Sequence, residues 1–317
     1  VMNARLIYNP TAGPRNVRLE LERLCSFFKQ RDWSVELRIT ERPGDAMRMA
    51  RQAAADALDV AIVAGGDGTV NEAVNGLVGS DTALGVLPVG TGNLWAKQLR
   101  VPTYTLANPL RLRRAALGLV DGAIRAIDVG EVNGHAFLCW ASAGLDAQVT
   151  NEMEPRDRTT KRLGALAYVI AAVLVARTYH GVQTTITLDD DVVRGRALLI
   201  MVNNIQQYGG VVDVAPTAKL DDGLLDVFVF KGLGFGYVVD HLFKVLSQRY
   251  LEDPKVVHRQ ARRVEIQTEE SMPIQVDGDP LGRTPARIRV VPSALRIVAP
   301  PTMPSDLLTQ ATPGDGP

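Results

Sequence analysis

Apolar positions along the first 125 residues come in short runs, each closed by a glycine-rich turn and followed by a stretch with helical spacing. Val60 to Ala64 is apolar throughout and rich in β-branched residues, the pattern of a strand covered on both faces of a parallel sheet. It stops at Gly65-Gly66-Asp67, after which Val70, Ala73, Val74 and Leu77 recur at helical intervals, with Thr69 placed to cap the helix. Arg5 to Tyr8 predicts a first strand, followed by a turn at Asn9 to Pro14 and a helix with Leu21, Leu24 and Phe28 on its apolar face. Val35, Leu37 and Ile39 alternate as a second strand ending at Thr40, and Gly44 to Ala57 predicts an Ala-rich helix. Leu84 to Pro88 forms the fourth strand and turns through Gly90, Thr91 and Gly92 into a helix beginning near Leu94. Strands alternating with helices predict a right-handed doubly wound sheet, with ligands at the carboxyl ends of the strands.

Beyond about Arg125 the period changes from helical to alternating. Strands are predicted at Ile127 to Glu131, Ala136 to Ala141, Thr184 to Leu188, Val193 to Val202, Leu225 to Phe230, Val264 to Gln267, Ile274 to Val276, Ile288 to Val291 and Leu295 to Val298. This is a largely antiparallel β domain, a sandwich or a partly opened barrel. The expected division is 1–125 for the α/β domain, 126–299 for the β-rich domain and 300–317 for a poorly ordered tail rich in Pro, Gly and Thr. Leu163 to Ala176 is apolar all round but only 14 residues long, short of the roughly 20 needed to span a bilayer, and predicts a buried core helix. Gly236 to Leu251 places Val239, Leu242, Phe243 and Leu246 on one face and likewise predicts packing against a core.

Composition narrows the classes. The chain has 317 residues, 46% hydrophobic and 22% charged, enough for two domains with sizeable cores. Lys plus Arg and Asp plus Glu number 35 each, so no bulk basic field argues for nucleic acid. Cys25 and Cys139 are far apart, with no paired spacing for a metal or disulfide framework, and no charged-then-apolar leader opens the chain. A cytoplasmic protein is expected.

Chemistry gathers at the turns. Gly65, Gly66 and Gly68 leave backbone amides uncovered at a helix start, the makings of a phosphate cradle. A carboxylate at Asp67 would repel a bare phosphate, which makes sense if Mg2+ lies between them or if the aspartate orders the loop through backbone amides. All three glycine turns fall at strand carboxyl ends, so one face of the sheet should collect Asn9, Gly66, Asp67, Thr69, Thr91 and Asn93. In the second domain, Val276-Asp277-Gly278-Asp279 puts two carboxylates at a loop tip, where one could accept a hydroxyl proton. The four histidines lie outside every motif.

GGDGTVNEAVNGL at Gly65 to Leu77, NPTAG at Asn9 to Gly13 and PVGTGNLWAKQL at Pro88 to Leu99, with AGLDA at Ala143 to Ala147, AKLDDGLLDV at Ala218 to Val227 and VDGD at Val276 to Asp279, resemble the diacylglycerol, sphingosine and ceramide kinase family, especially its soluble bacterial lipid kinases. The resemblance implies an α/β nucleotide-binding domain of the NAD kinase and diacylglycerol kinase type, followed by a β-sandwich that binds the acceptor. It implies ATP as donor, Mg2+, and a lipid alcohol as acceptor, with peripheral contact at the inner membrane face and no transmembrane segment; a homodimer is left open. Nucleotide contact is carried over to Asn9, Pro10, Thr11, Ala12 and Gly13, to Thr40, to Gly65, Gly66, Asp67, Gly68, Thr69, Val70, Asn71 and Glu72, and to Gly90, Thr91, Gly92 and Asn93. Catalytic roles are carried over to Asp67, to Asp146 near the acceptor, and to the Asp277/Asp279 pair, with Asp279 preferred as the base. A structural Mg2+ is implied at the carbonyls of Lys219 and Leu224 and the carboxylate of Asp222, with a sharp bend at Gly223. Two departures stand out: Leu94 occupies the place of a family aspartate, and Asp279 that of a glutamate. The alternatives are an NAD kinase-like enzyme and a binding protein that has lost its chemistry.

Overall fold

The computed structural model describes residues 1–103, 110–153, 171, 174–209 and 212–309. They divide into two compact units: one is formed by Val1–Val129, Leu220–Asp222 and the chain from Pro292 onward, the other by Gly130–Lys219 and Gly223–Val291. The chain therefore passes between units four times, and the segment from Pro292 onward, its residues 292–299 expected in the β-rich domain, belongs to the first unit.

In the first unit β1 (Met2–Tyr8) lies between β2 (Trp33–Ile39) and β3 (Val60–Gly65), and β4 (Ala83–Pro88) follows β3, all parallel. The sheet order is β4-β3-β1-β2. Every residue of β3 and β4 is buried, as a strand covered on both faces must be. Helices α1 (Arg18–Lys29), α2 (Asp45–Ala55) and α3 (Asp67–Leu77) form the crossovers, α1 burying the predicted Leu21, Leu24 and Phe28. Because β2 and β3 lie on opposite sides of β1, the sheet reverses winding at β1/β3, and the turns after these strands open on that switch point. Short α4 (Leu94–Gln98) and α5 (Arg111–Val120) complete the helical cover.

The second unit is antiparallel. β7 (Trp140–Gly144) pairs with β9 (Asp191–Asn203) and β15 (Pro273–Val276); β15 forms a hairpin with β16 (Asp279–Arg283). β8 (Val182–Leu188) pairs with β9 and β14 (Arg263–Thr268), and β12 (Leu225–Lys231) with β9 and β13 (Val256–Ala261). Two-residue β10 (Gln207–Tyr208) and β11 (Val212–Asp213) form a small ribbon. Alternation along β12 sends Val227 and Val229 into one apolar cluster with Ile200, Val264 and Ile274, and Phe228 and Phe230 into another with Met201, Tyr250 and Val256. β5 (Ala123–Val132) and β17 (Ala286–Ala299) contribute residues to both units.

Several elements differ from the pattern-based reading. The strand expected over Ala136 to Ala141 is two, β6 (His135–Phe137) and β7, because the amides of Leu138, Cys139 and Trp140 turn to the carboxylate of Asp277. The two strands expected at Ile288 and Leu295 are one, its last part pairing Ile297 with Leu84 of β4. Residues 300–309 of the expected tail take a defined course: a 3-10 turn at Ser305–Leu307 buries Leu307 completely, and the amide of Leu220 donates to its carbonyl. Residues 310–317 and most of Leu163 to Ala176 lie outside the described residues. The amphipathic helix, here α7 (Phe235–Leu246), departs most: Val239, Leu242, Phe243 and Leu246 are exposed, and His241 is the residue of the helix that is buried. Periodicity fixes that a helix has an apolar face but not the direction in which that face points.

Gly130 is held by packing in the second unit, since a Cβ there would stand 2.0 Å from the Phe137 ring. Gly130→Ala is expected to lower unfolding stability by about 1–3 kcal/mol in urea titrations, the range for forcing a methyl into a filled core.

Candidate active site

The first unit's three glycine turns interlock through backbone contacts. At the end of β3 the chain enters α3 directly: Gly66 is extended (φ −99°) and Asp67 is already helical, so Thr69 lies within the first turn and does not cap it. The hydroxyl of Thr69 accepts instead from Asn9 Nδ2 at 2.9 Å, joining the second turn to the first, and Asn9 Oδ1 accepts from the amide and hydroxyl of Thr11 at 2.9 and 2.8 Å. The third turn lies against both. A Cβ on Gly13 would stand 2.1 Å from the Val89 carbonyl, and one on Gly90 would stand 2.5 Å from the Cα of Gly66. Gly13, at φ +75°, also occupies the left-handed region that favours glycine.

Asp67 is tied into this knot. Its Oδ1 accepts from the amide of Leu94 at 2.6 Å, and a Cβ on Gly92 would meet its Oδ2 at 2.4 Å. Of the two sequence readings of this carboxylate, loop ordering is the one the hydrogen bond displays. At the departure from the family pattern, position 94 contributes its amide. Asn93, left-handed and buried, donates from Nδ2 to the Gly90 carbonyl at 2.7 Å, and its buried Oδ1 has no partner among the described residues. The fold thus brings together Asn9, Gly65, Gly66, Asp67, Thr69, Gly90, Gly92 and Asn93. The first turn of α3 begins directly at the end of β3, the place where a helix start offers amide donors to a phosphate-bearing group. Gly66 has open space around it except for Gly90 Cα at 3.6 Å, leaving room for close approach.

Other sequence candidates sit differently. Pro10, Thr11 and Thr91 are exposed on the turns. Thr40 is buried at the end of β2, its amide donating to the Tyr8 carbonyl at 2.9 Å. Val70 and Asn71 are buried in α3, and Glu72 accepts from the Ala46 amide at 3.2 Å, capping α2. Lys219, Asp222 and Leu224 lie on the turn before β12, where Gly223 adopts φ +71°, the bend that a carbonyl-lined cation loop needs.

In the second unit the two carboxylates of Asp277-Gly278-Asp279 are unequal. Asp277 is buried with φ +49°, and its carboxylate accepts from the amides of Leu138 at 2.8 Å, Cys139 at 2.8 Å and Trp140 at 3.0 Å, while its own amide donates to the Trp140 carbonyl. Asp279 is exposed at the start of β16. Asp146, buried at the start of α6 (Leu145–Met153), accepts from Ser142 Oγ at 2.6 Å, from Gln275 Nε2 at 2.8 Å and from the Tyr208 hydroxyl. Gln275 reaches the other way as well, its Oε1 accepting from the Gly278 amide at 2.8 Å. Asp146 is thereby linked through one side chain to the turn that carries Asp279. Burial pushes the imidazole of His135 below its ordinary pKa, opposed by nearby Asp277. Sequence reasoning missed Ser142, Tyr208 and Gln275; the available signal was Gln275 itself, a polar residue in an apolar strand just before the acidic turn.

A phosphate cradle at the switch point of a doubly wound sheet, in a chain whose β-rich unit carries an acidic turn braced by buried carboxylates, defines a two-domain phosphotransferase. Residues 3–132 match the diacylglycerol kinase catalytic domain, and residues 139–299 the YegS C-terminal NAD kinase beta sandwich-like domain. The diacylglycerol kinase of Bacillus subtilis (strain 168) is 30% identical over 299 residues, covering 94% of this chain and 96% of that protein. That of Staphylococcus carnosus (strain TM300) is 28% identical over 310 residues, covering 97% and 98%. The crystal structure of a putative diacylglycerol kinase from Bacillus anthracis str. Sterne superposes with a TM-score of 0.78 at 27% identity, covering 95% of this chain and 98% of that one. The chain belongs to the diacylglycerol kinase catalytic-domain family and is a lipid kinase. Among the described residues no helix is long and apolar enough to cross a membrane.

The roles of the three acids separate by substitution. Asp67→Asn keeps an acceptor for the Leu94 amide and should retain the fold while losing most nucleotide-dependent turnover; Asp67→Ala should also lower the melting temperature. Asp277→Ala strands three amides and should cost about 3 kcal/mol or more in chemical denaturation, whereas Asp279→Ala should leave the denaturation midpoint near wild type.

Proposed function

We propose that this lipid kinase transfers the γ-phosphoryl group of ATP to a hydroxyl of a diacylglycerol-like or sphingoid-like lipid. The observation that carries the reading is the interlocking of three glycine turns around Gly66 and Asp67, which makes a rigid cradle of amide donors for a nucleotide's phosphates. Phosphoryl transfer asks mainly for positioning, charge neutralisation and a base for the acceptor's proton. In this reading the amides of Gly66 to Thr69 and the side chain of Asn9 hold the phosphates, and Asp67 keeps the third turn closed around them. The oxygens of Asp67 also fit Mg2+, which when bound would neutralise charge on the phosphates.

Asp279 is the base in this proposal. The three amides that Asp277 accepts commit its oxygens to the backbone, which leaves the exposed carboxylate of Asp279 as the group able to reach a substrate hydroxyl. Asp146 acts as a positioning residue: through Gln275 it fixes the turn from which Asp279 projects. The turn 219–224 would hold a structural Mg2+ by the carbonyls of Lys219 and Leu224 and the carboxylate of Asp222, with Gly223 supplying the bend.

Transfer of radiolabelled phosphate from ATP should be seen with a dispersed lipid alcohol from a panel of diacylglycerols and sphingoid bases, and not with NAD; labelling of NAD alone would replace this reading with the NAD kinase-like one. Asp279→Asn should lower kcat roughly a hundredfold with a small change in nucleotide affinity. If Asp277→Asn abolishes turnover in soluble, folded protein while Asp279→Asn is nearly silent, the roles are reversed. For the cation loop, EDTA should lower the melting temperature of the wild type, because an ion that binds only the folded state stabilises it by mass action. Asp222→Ala should start low and respond little; equal responses in both proteins would move the ion elsewhere.

A further inference from the structure

Helix α7 of the second unit carries its amphipathic face the wrong way round for a helix that serves a core. Phe235, Val239, Leu242, Phe243 and Leu246 follow one another at helical spacing, a continuous stripe, and are 41%, 49%, 50%, 67% and 63% exposed. Leu233 extends the stripe at its start and is also exposed. The opposite face is the one that holds the helix to the protein, largely by polar contacts. His241 is buried, donates from Nε2 to the Lys231 carbonyl at 2.8 Å and meets the Phe230 ring edge-on. The ammonium of Lys244 bridges Asp240 at 2.7 Å and the buried carboxylate of Asp253 at 2.8 Å, and Val245 packs against the cluster around Phe230 and Tyr250. Turning the stripe inward would break the His241 hydrogen bond and strand Asp253 as a buried charge, so the outward orientation is locked.

A stripe of this size suits one kind of occupant. The stripe is five side chains on a helix of 12 residues, well short of the roughly 20–30 residues a side of a stable protein–protein interface. An apolar layer that accepts single side chains has no such threshold. Charge at the N-terminal end of the helix points the same way. The Arg196 guanidinium donates to the Gly181 carbonyl at 3.1 Å, whose own amide donates to the Leu233 carbonyl; Lys231 lies two residues before Leu233, and the Lys255 ammonium lies 4.7 Å above the Tyr237 ring, so basic residues stand at the N-terminal end of the helix. Asp240 of the helix and the buried Asp253 share the ammonium of Lys244.

We propose that α7 is the surface by which this enzyme lies on a bilayer, its Phe235 to Leu246 stripe in the acyl region and Arg196, Lys231 and Lys255 against anionic headgroups. A lipid kinase without a spanning helix among its described residues has to meet its substrate at an interface, and this stripe supplies a fixed apolar edge for that encounter. The proposal rests on the lipid-kinase class alone and not on which lipid is phosphorylated.

The test is co-sedimentation of the full chain with vesicles of phosphatidylcholine and phosphatidylglycerol, and with vesicles of phosphatidylcholine alone. Phe243→Ser/Leu246→Ser should weaken partitioning into both by at least about tenfold, since each side chain gives up a full apolar burial. The same variant should keep wild-type turnover of a short-chain diacylglycerol dissolved as monomer, which also reports that it is folded. Lys231→Gln/Lys255→Gln should lose only the increment that phosphatidylglycerol adds. Equal pelleting of wild type and the Phe243/Leu246 variant would overturn the proposal. So would a wild-type dimer in sedimentation velocity that the variant dissolves while vesicle binding stays unchanged, because the stripe would then belong to a second copy. Pelleting needs no turnover, so its outcome is independent of the acceptor lipid proposed above.

Discussion

Two backbones meet at Gly66 and Gly90 with no side chain between them, and the turns of the first unit depend on that approach. A Cβ on Gly90 would lie 2.5 Å from the Cα of Gly66, closer than real carbon contacts allow. Because the turns after β3 and β4 touch directly, the carboxylate of Asp67 reaches the Leu94 amide, and Thr69 reaches Asn9. Three connections that would otherwise be separate loops become one rigid rim. Under the proposed function this matters chemically, because amide donors held in place beforehand need no reorganisation when charge develops in the reaction.

The second unit applies the same economy to carboxylates. Asp277 and Asp279 are two residues apart, yet one is consumed by three amides in splitting β6 from β7 and the other is exposed at the tip of a hairpin. A buried acid thus acts as a clamp that gives a neighbouring acid a fixed address. Asp146, Ser142 and Gln275 extend the clamp, so the position of Asp279 is set by hydrogen bonds from β7, α6 and β15 together.

Much of this was legible in the sequence where a pattern has one physical solution. An unbroken apolar run such as Val60 to Ala64, ending in glycines, can only be a buried strand feeding a turn, and the three glycine turns after strands one, three and four have to open at the same end of a parallel sheet. Side-chain partners were less legible, because hydrogen bonds spanning more than a hundred residues, like those of Asp277 and Gln275, leave no spacing to read. Thr69 shows the limit at short range: it has the right chemistry for a cap, but the chain passes from extended Gly66 straight into the helix at Asp67, so the cap position falls three residues earlier. The outward face of α7 was illegible for a different reason. Its direction is decided by His241 and Lys244, polar residues that a periodicity argument assigns to solvent.

The return of the chain to the first unit has a consequence for how the molecule is made. The sheet of β1 to β4 gains its neighbour beside Leu84 only from Ile297, and the turn that buries Leu307 comes later still. Some 160 residues of the other unit lie in the chain between β4 and the strand that pairs with it at Leu84. Domains usually fold as they emerge; here the unit that is translated first draws its last strand and its final turn from the chain that is translated last.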